Sequence, residues 1–131
     1  MKIAIIGSGA FGIALSQVFI KNTSDMMMWT VPNEYEELIK YRTNDKVLKG
    51  IKVDDRIKIS TDLKEVIKDA KIIVIVIPVK YIGNTIKEVA NYITDNQHIC
   101  IASKGIIDED CEFAYRTIQK YVYTDKIGVI S

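Results

Sequence analysis

The sequence predicts a three-layer α/β/α domain on a doubly wound parallel sheet, six strands in the order 3-2-1-4-5-6. Three observations carry this reading. Short β-branched runs alternate with stretches of helical spacing along the whole chain. The run Ile72-Ile73-Val74-Ile75-Val76-Ile77 is apolar at every position, as expected of a strand covered by helices on both faces. The segment Gly7-Ser8-Gly9-Ala10-Phe11-Gly12 stands between the first strand-like run and the first helix-like one. Right-handed crossovers wind such a chain into two βαβαβ halves that meet at a topological switch point.

The elements follow in order. Lys2 to Ile6 is an apolar strand running into the glycines, and Ala10 to Lys21 is a helix with Ala14, Leu15, Val18 and Phe19 as apolar positions. Met26 to Thr30 is the second strand, whose methionines are core filling rather than a metal site. Asn33 to Arg42 is a helix, and the polar stretch Thr43 to Arg56, which carries Gly50, is a loop with at most a short helical turn. Ile57 to Ser60 is the third strand. Ser60 or Thr61 caps the helix Asp62 to Lys68, with Glu65 in its first turn. Ile72 to Ile77, the helix Tyr81 to Ile93 and the strand His98 to Ala102 come next. Asp108, Glu109 and Asp110 favour the dipole at the start of a helix over Glu109 to Tyr121, and Ile127 to Ile130 closes the sheet.

Composition bounds the function. A chain of 131 residues with 48% hydrophobic and 27% charged residues predicts one globular domain over residues 1–131. Eighteen basic against seventeen acidic residues leave +1, which argues against nucleic acid or a membrane surface as a partner. The longest apolar run, Ile72 to Val79, is far short of the roughly 20 residues that span a bilayer. Cys100 and Cys111 have no metal-type spacing and no leader-like segment precedes the first strand, so both read as reduced thiols in the cytoplasm. His98, the sole histidine, falls at the start of the fifth strand and reads as structural. No set of residues for nucleophilic catalysis or metal binding assembles from the sequence.

Gly7 to Gly12 is a GxGxxG loop in its required context. Gly7 permits a tight turn, Gly9 leaves room for a pyrophosphate, Gly12 lets helix and strand pack closely, and the helix N-terminus offers amides to phosphate. The expectation is a Rossmann-type dinucleotide site. An acid near the end of the second strand usually holds the ribose hydroxyls of NAD, yet Trp29, Thr30, Val31, Pro32 and Asn33 include none. That absence tilts the reading from NAD toward NADP, although no arginine stands there for a 2′-phosphate. Glu34 lies within reach, but is read as a solvated residue of the next helix's first turn.

Further segments fall in a familiar order: Met28-Trp29, Ser60-Thr61-Asp62-Leu63, Asp69-Ala70 leading into Ile72 to Pro78, and Ser103-Lys104-Gly105-Ile106 after the fifth strand. With the glycine loop they resemble, over essentially the whole chain, the N-terminal domain of NAD(P)-dependent glycerol-3-phosphate dehydrogenases of the bacterial type. The resemblance implies a cytoplasmic oxidoreductase transferring a hydride between NAD(P)H and dihydroxyacetone phosphate, giving sn-glycerol 3-phosphate for phospholipid synthesis. It implies that Ser8, Ala10 and Phe11 lie in the pyrophosphate loop, that Val31 flanks the adenosine ribose, and that Pro78 and Tyr81 lie near the cofactor. It implies as well that Lys104 contacts both cofactor and substrate. Val31 departs from the histidine or arginine often found there. In the family a Gly-Pro-Ser or Gly-Pro-Thr segment and a helical domain follow the sixth strand, and that domain carries the catalytic lysine. The chain, ending at Ser131, therefore reads as a cofactor domain that is inactive alone, with no catalytic residue of its own. A homodimer is compatible with the family but is not read from these residues. The alternatives are a free-standing NAD(P)-sensing module, or the first domain of another NADP-dependent dehydrogenase such as a ketopantoate-reductase-like enzyme.

Overall fold

A computed structural model of the chain describes residues 1–77, 79–102, 116, 119–120 and 127–130, with backbone alone for 79–83, 129 and 130. Six strands, β1 (Lys2–Ile6), β2 (Asp25–Trp29), β3 (Ile57–Ser60), β4 (Ile72–Ile75), β5 (His98–Ala102) and β6 (Ile127–Ile130), form one sheet in the order β3-β2-β1-β4-β5-β6. Every pairing is parallel, as the uninterrupted apolar run of the fourth strand requires. Four helices are described: α1 (Ala10–Phe19), α2 (Pro32–Tyr41), α3 (Leu63–Ile67) and α4 (Val79–Ala90). None of the described helices is long and apolar enough to cross a membrane.

Strand pleating divides the core between two faces. Ile3 and Ile5 of β1, with Met26, Met28, Ile57, Ile59 and Val74, pack under Ile13 and Ile20 of the α1 segment and Leu38 of α2. Ala4 and Ile6, with Met27, Ile73, Ile75, Ile99 and Ile101, pack under Leu63, Val66 and Ile67 of α3 and Ile86 and Val89 of α4. The three methionines are buried core, as their place on a central strand predicts. His98 lies exposed at the amino end of β5, where its amide bonds to the Lys71 carbonyl. Cys100 is a free, half-buried thiol whose pKa is pushed up by burial.

Several boundaries differ from the sequence reading. Of the expected apolar positions of α1, Leu15 and Phe19 pack against the core beside the buried Ile13 and Ile20, while Ala14 and Val18 face outward, and the buried Ser16 Oγ is satisfied by the Ile13 carbonyl at 2.6 Å. The cap of α3 is Asp62 rather than Ser60 or Thr61. Its carboxylate accepts from the Lys64 amide at 3.0 Å, leaving Ser60 Oγ to accept from the Asp62 amide and donate to Glu65. The fourth strand ends at Ile75, and α4 starts at Val79 rather than Tyr81 and closes at Ala90. Residues 43–56 hold turns and an isolated bridge between Asn44 and Leu48 instead of a helical turn. Arg42, left-handed at φ 60°, ties that loop back by donating to the carbonyls of Asp54 and Ile57. The helix expected over Glu109 to Tyr121, the acidic run before it and Cys111 lie outside the described residues, apart from positions 116, 119 and 120.

Backbone packs closely at the glycine turn. Gly7 has φ +135°, and a Cβ there would stand 2.5 Å from the Val76 carbonyl oxygen. At Gly12 a Cβ would stand 2.6 Å from the Gly7 carbonyl oxygen. Both oxygens belong to backbone and cannot rotate aside. Gly7→Ala and Gly12→Ala are each expected to lower stability by about 1–3 kcal/mol, read as a shift in the denaturant midpoint. Gly9→Ala, whose Cβ would meet no atom within 4 Å, is expected to leave that midpoint nearly unchanged.

Candidate functional site

The strand order reverses between β1 and β4, and there the carboxyl ends of β1, β2 and β4 border a cleft of about 460 Å³. Gly7, Ser8 and Gly9 form its floor, Trp29, Thr30 and Val31 one side, and Val76, Ile77, Asn84 and Thr85 the other. Asn33, Glu34, Lys46 and Val47 close the rim. Main-chain bonds fix the floor: the Gly7 amide donates to the Trp29 carbonyl at 3.1 Å, and the Val76 amide to the Ile6 carbonyl at 3.0 Å. Gly9 caps α1 in extended conformation without a side-chain hydrogen bond, and Val31 does the same for α2. Two helix N-termini therefore carry no side-chain cap at the cleft.

The predicted site residues distribute as follows. Gly7, Ser8, Gly9 and Val31 line the cleft. Ala10, Phe11 and Gly12 form the first turn of α1 behind it, with Phe11 partly buried against the core beside α1. Tyr81 lies in α4, but its side chain, like Pro78 and Lys104, is outside the described residues.

Glu34 is not the solvated residue expected of it. Its Oε2 accepts from Ser8 Oγ at 3.2 Å and its Oε1 from Asn44 Nδ2 at 3.0 Å. The same Asn44 amide donates to the Ser8 carbonyl at 2.9 Å, and Thr30 Oγ1 lies 2.7 Å from Ser8 Oγ. Ser8, Thr30 and Asn44 are buried, so the carboxylate finds in protein the donors that water would otherwise supply. Asn44 Oδ1 is left buried with no protein donor. Sequence reasoning missed Thr30, Asn44, Lys46, Asn84 and Thr85. Asn44 sits in a polar loop of no periodicity, and only its burial in the fold sets it apart.

The cleft suits a phosphate-bearing dinucleotide. Its glycine floor has open space above Gly9, where any side chain would project, and it sits where open α/β sheets bind nucleotides.

Comparison with known proteins agrees with this geometry. A "Glycerol-3-phosphate dehydrogenase [NAD(P)+]" of Streptococcus uberis is 39% identical over 106 residues, 80% of this chain and 31% of the relative. The protein of the same name in Leptospira biflexa is 37% identical over 110 residues, 83% of this chain and 33% of the relative. The chain thus spans about a third of the length of the curated relatives it matches. Among solved structures, a glycerol-3-phosphate dehydrogenase of Coxiella burnetii superposes with a TM-score of 0.83 at 22% identity, covering 99% of this chain and 40% of that one. A ketopantoate reductase of Ralstonia eutropha reaches 0.70 at 12% identity over 98% of this chain and 40% of its own, a likeness of fold alone. The family described as "NAD-dependent glycerol-3-phosphate dehydrogenase N-terminus" matches residues 2–131, and the chain belongs to that family.

Proposed function

We propose that this chain is the dinucleotide-binding domain of a cytoplasmic oxidoreductase that interconverts dihydroxyacetone phosphate and sn-glycerol 3-phosphate with NAD(P)H. The observation that supports it most directly is the glycine turn opening from Gly9 into the switch-point cleft, in a chain of this family. The bound nicotinamide supplies the hydride, and the protein supplies binding, orientation and electrostatics.

In this reading the pyrophosphate lies over Gly7, Ser8 and Gly9 against the free amides that open α1, with Ala10, Phe11 and Gly12 setting that turn. Val31 flanks the adenosine ribose. Pro78, Tyr81 and Lys104 complete the site by the family pattern, and Lys104 stands two positions past the end of β5. A lysine there brings a compact cation to the substrate phosphate or the developing alkoxide. The other substrate contacts and the catalytic lysine belong to a second, helical domain, consistent with a match to only a third of each relative. The partner is a small phosphate ester rather than nucleic acid, and a homodimer is compatible with the family.

Trp29, the sole tryptophan, lines the cleft and reports on binding. Titration with NADH or NADPH is expected to quench its emission by energy transfer to the dihydronicotinamide. Gly9→Val should weaken that binding about 10- to 100-fold, because its side chain enters the open space above the glycine floor, with folding checked by the denaturant midpoint. Unchanged affinity would remove the loop from the site. With saturating cofactor and glycerol 3-phosphate, this polypeptide by itself should show no turnover above background in an absorbance assay. Robust turnover would overturn the assignment of catalysis to a second domain.

A further inference from the structure

We infer that Glu34 makes this cleft select NAD(H) over NADP(H), by presenting its carboxylate to the adenosine ribose hydroxyls. This rests on the dinucleotide reading of the cleft. In doubly wound folds the ribose acid stands roughly 20 residues past the glycine loop, at the end of the second strand. Here β2 ends at Trp29 without one, and the carboxylate comes instead from the first turn of α2. It lies on the same rim, beside Val31 and against the glycine loop itself.

Three features make Glu34 a recognition group rather than a surface charge. Each carboxylate oxygen already accepts one hydrogen bond, from Ser8 and from Asn44, so the group is held in place before any ligand arrives. A carboxylate oxygen accepts more than one hydrogen bond, so both retain capacity for the 2′- and 3′-hydroxyls of a ribose. The donors come from opposite sides, the glycine loop and the loop after α2, and Asn44 also bonds the Ser8 carbonyl, which ties the carboxylate's position to that of the pyrophosphate floor. Asn44 is thus a positioning residue.

A 2′-phosphate at this place would set a dianion against a fixed anion and remove the hydroxyl donor that the carboxylate accepts. Among the described residues lining the cleft, the opposing charge is Lys46, on the exposed loop after α2. Its ammonium is a hydrated point charge on a flexible stem, and no arginine among the described lining residues offers a bidentate partner for phosphate. The fixed carboxylate outweighs it.

The test measures dissociation constants of NADH and NADPH side by side, through Trp29 emission, for the wild-type chain, Glu34→Gln and Lys46→Ala. The wild type is expected to bind NADH at least about tenfold tighter than NADPH. Glu34→Gln, nearly isosteric and with its folding checked by thermal midpoint, should bring the two constants within about threefold by weakening NADH and strengthening NADPH. Lys46→Ala should keep or widen the wild-type preference. Equal binding, or tighter NADPH binding, by the wild type overturns the inference while leaving the dinucleotide site standing. A NADH preference that survives Glu34→Gln overturns it as well, by removing Glu34 as its cause. Binding of neither coenzyme to the wild type overturns the dinucleotide reading and this inference with it.

Discussion

Three stretches of backbone converge in this domain where no side chain fits. The end of β1, the start of α1 and the residue after β4 meet so closely that a Cβ at Gly7 or Gly12 would fall 2.5–2.6 Å from a carbonyl oxygen. The rest of the architecture depends on this approach. It lets α1 lie against β1 with Ile13 fully buried, and it holds Val76 beside the glycine turn, so that the switch point between β1 and β4 becomes a cleft and not a packed seam. Gly9 has a different role, because its missing side chain leaves solvent space rather than protein space.

Above this floor the polar groups form one connected set. Thr30, Ser8, Glu34 and Asn44 come from the residue after β2, the glycine turn, the first turn of α2 and the loop after α2. Burial makes each hydroxyl and amide costly unless paired, and the ring pairs all but the Asn44 side-chain oxygen Oδ1. The loop of residues 43–56 is therefore held at both ends. Asn44 fixes its start to the glycine turn, while the Arg42 guanidinium gathers the carbonyls of Asp54 and Ile57 near its close. A segment with no periodicity of its own thereby acquires a defined place at the rim.

Much of the fold was legible because it rests on patterns that repeat. The β1, β3, β5 and β6 limits agree with the β-branched runs residue for residue, and an apolar stretch from Ile72 could be buried on both faces only in a parallel, helix-covered sheet. The glycine loop was legible from its position between strand and helix. Less readable was anything decided by a single contact between distant segments. Glu34 looks from its neighbours like an ordinary first-turn acid, and only Ser8, 26 positions earlier, and Asn44, ten later, turn it inward. The cap of α3 was misplaced because Ser60, Thr61 and Asp62 are all competent there, and the turn geometry alone assigns Asp62.

The two edges of the sheet show why the functional reading belongs to one of them. At the amino edge lies a second cleft of about 450 Å³, bordered by Lys64, Lys68, Lys71, Tyr92 and Gln97, so size does not separate the two. Hydrogen bonding does. At the amino edge the carbonyls at the end of α3 are already satisfied: Lys2 Nζ donates to those of Glu65 and Lys68, and Gln97 Nε2 donates to that of Ile67. Burial lowers the Lys2 pKa, and Asp25, Asp69 and Glu65 oppose that shift. Lys2 and Gln97 thus complete that helix end. At the carboxyl edge, α1 begins at Gly9 with no side chain to accept from its first amides, whereas α2 opens on Pro32, which has no amide hydrogen, and α3 nearby has Asp62 as its cap. A chain that caps α3 and leaves α1 uncapped where it opens on the glycine cleft keeps the free donors of α1 where an anionic ligand can use them.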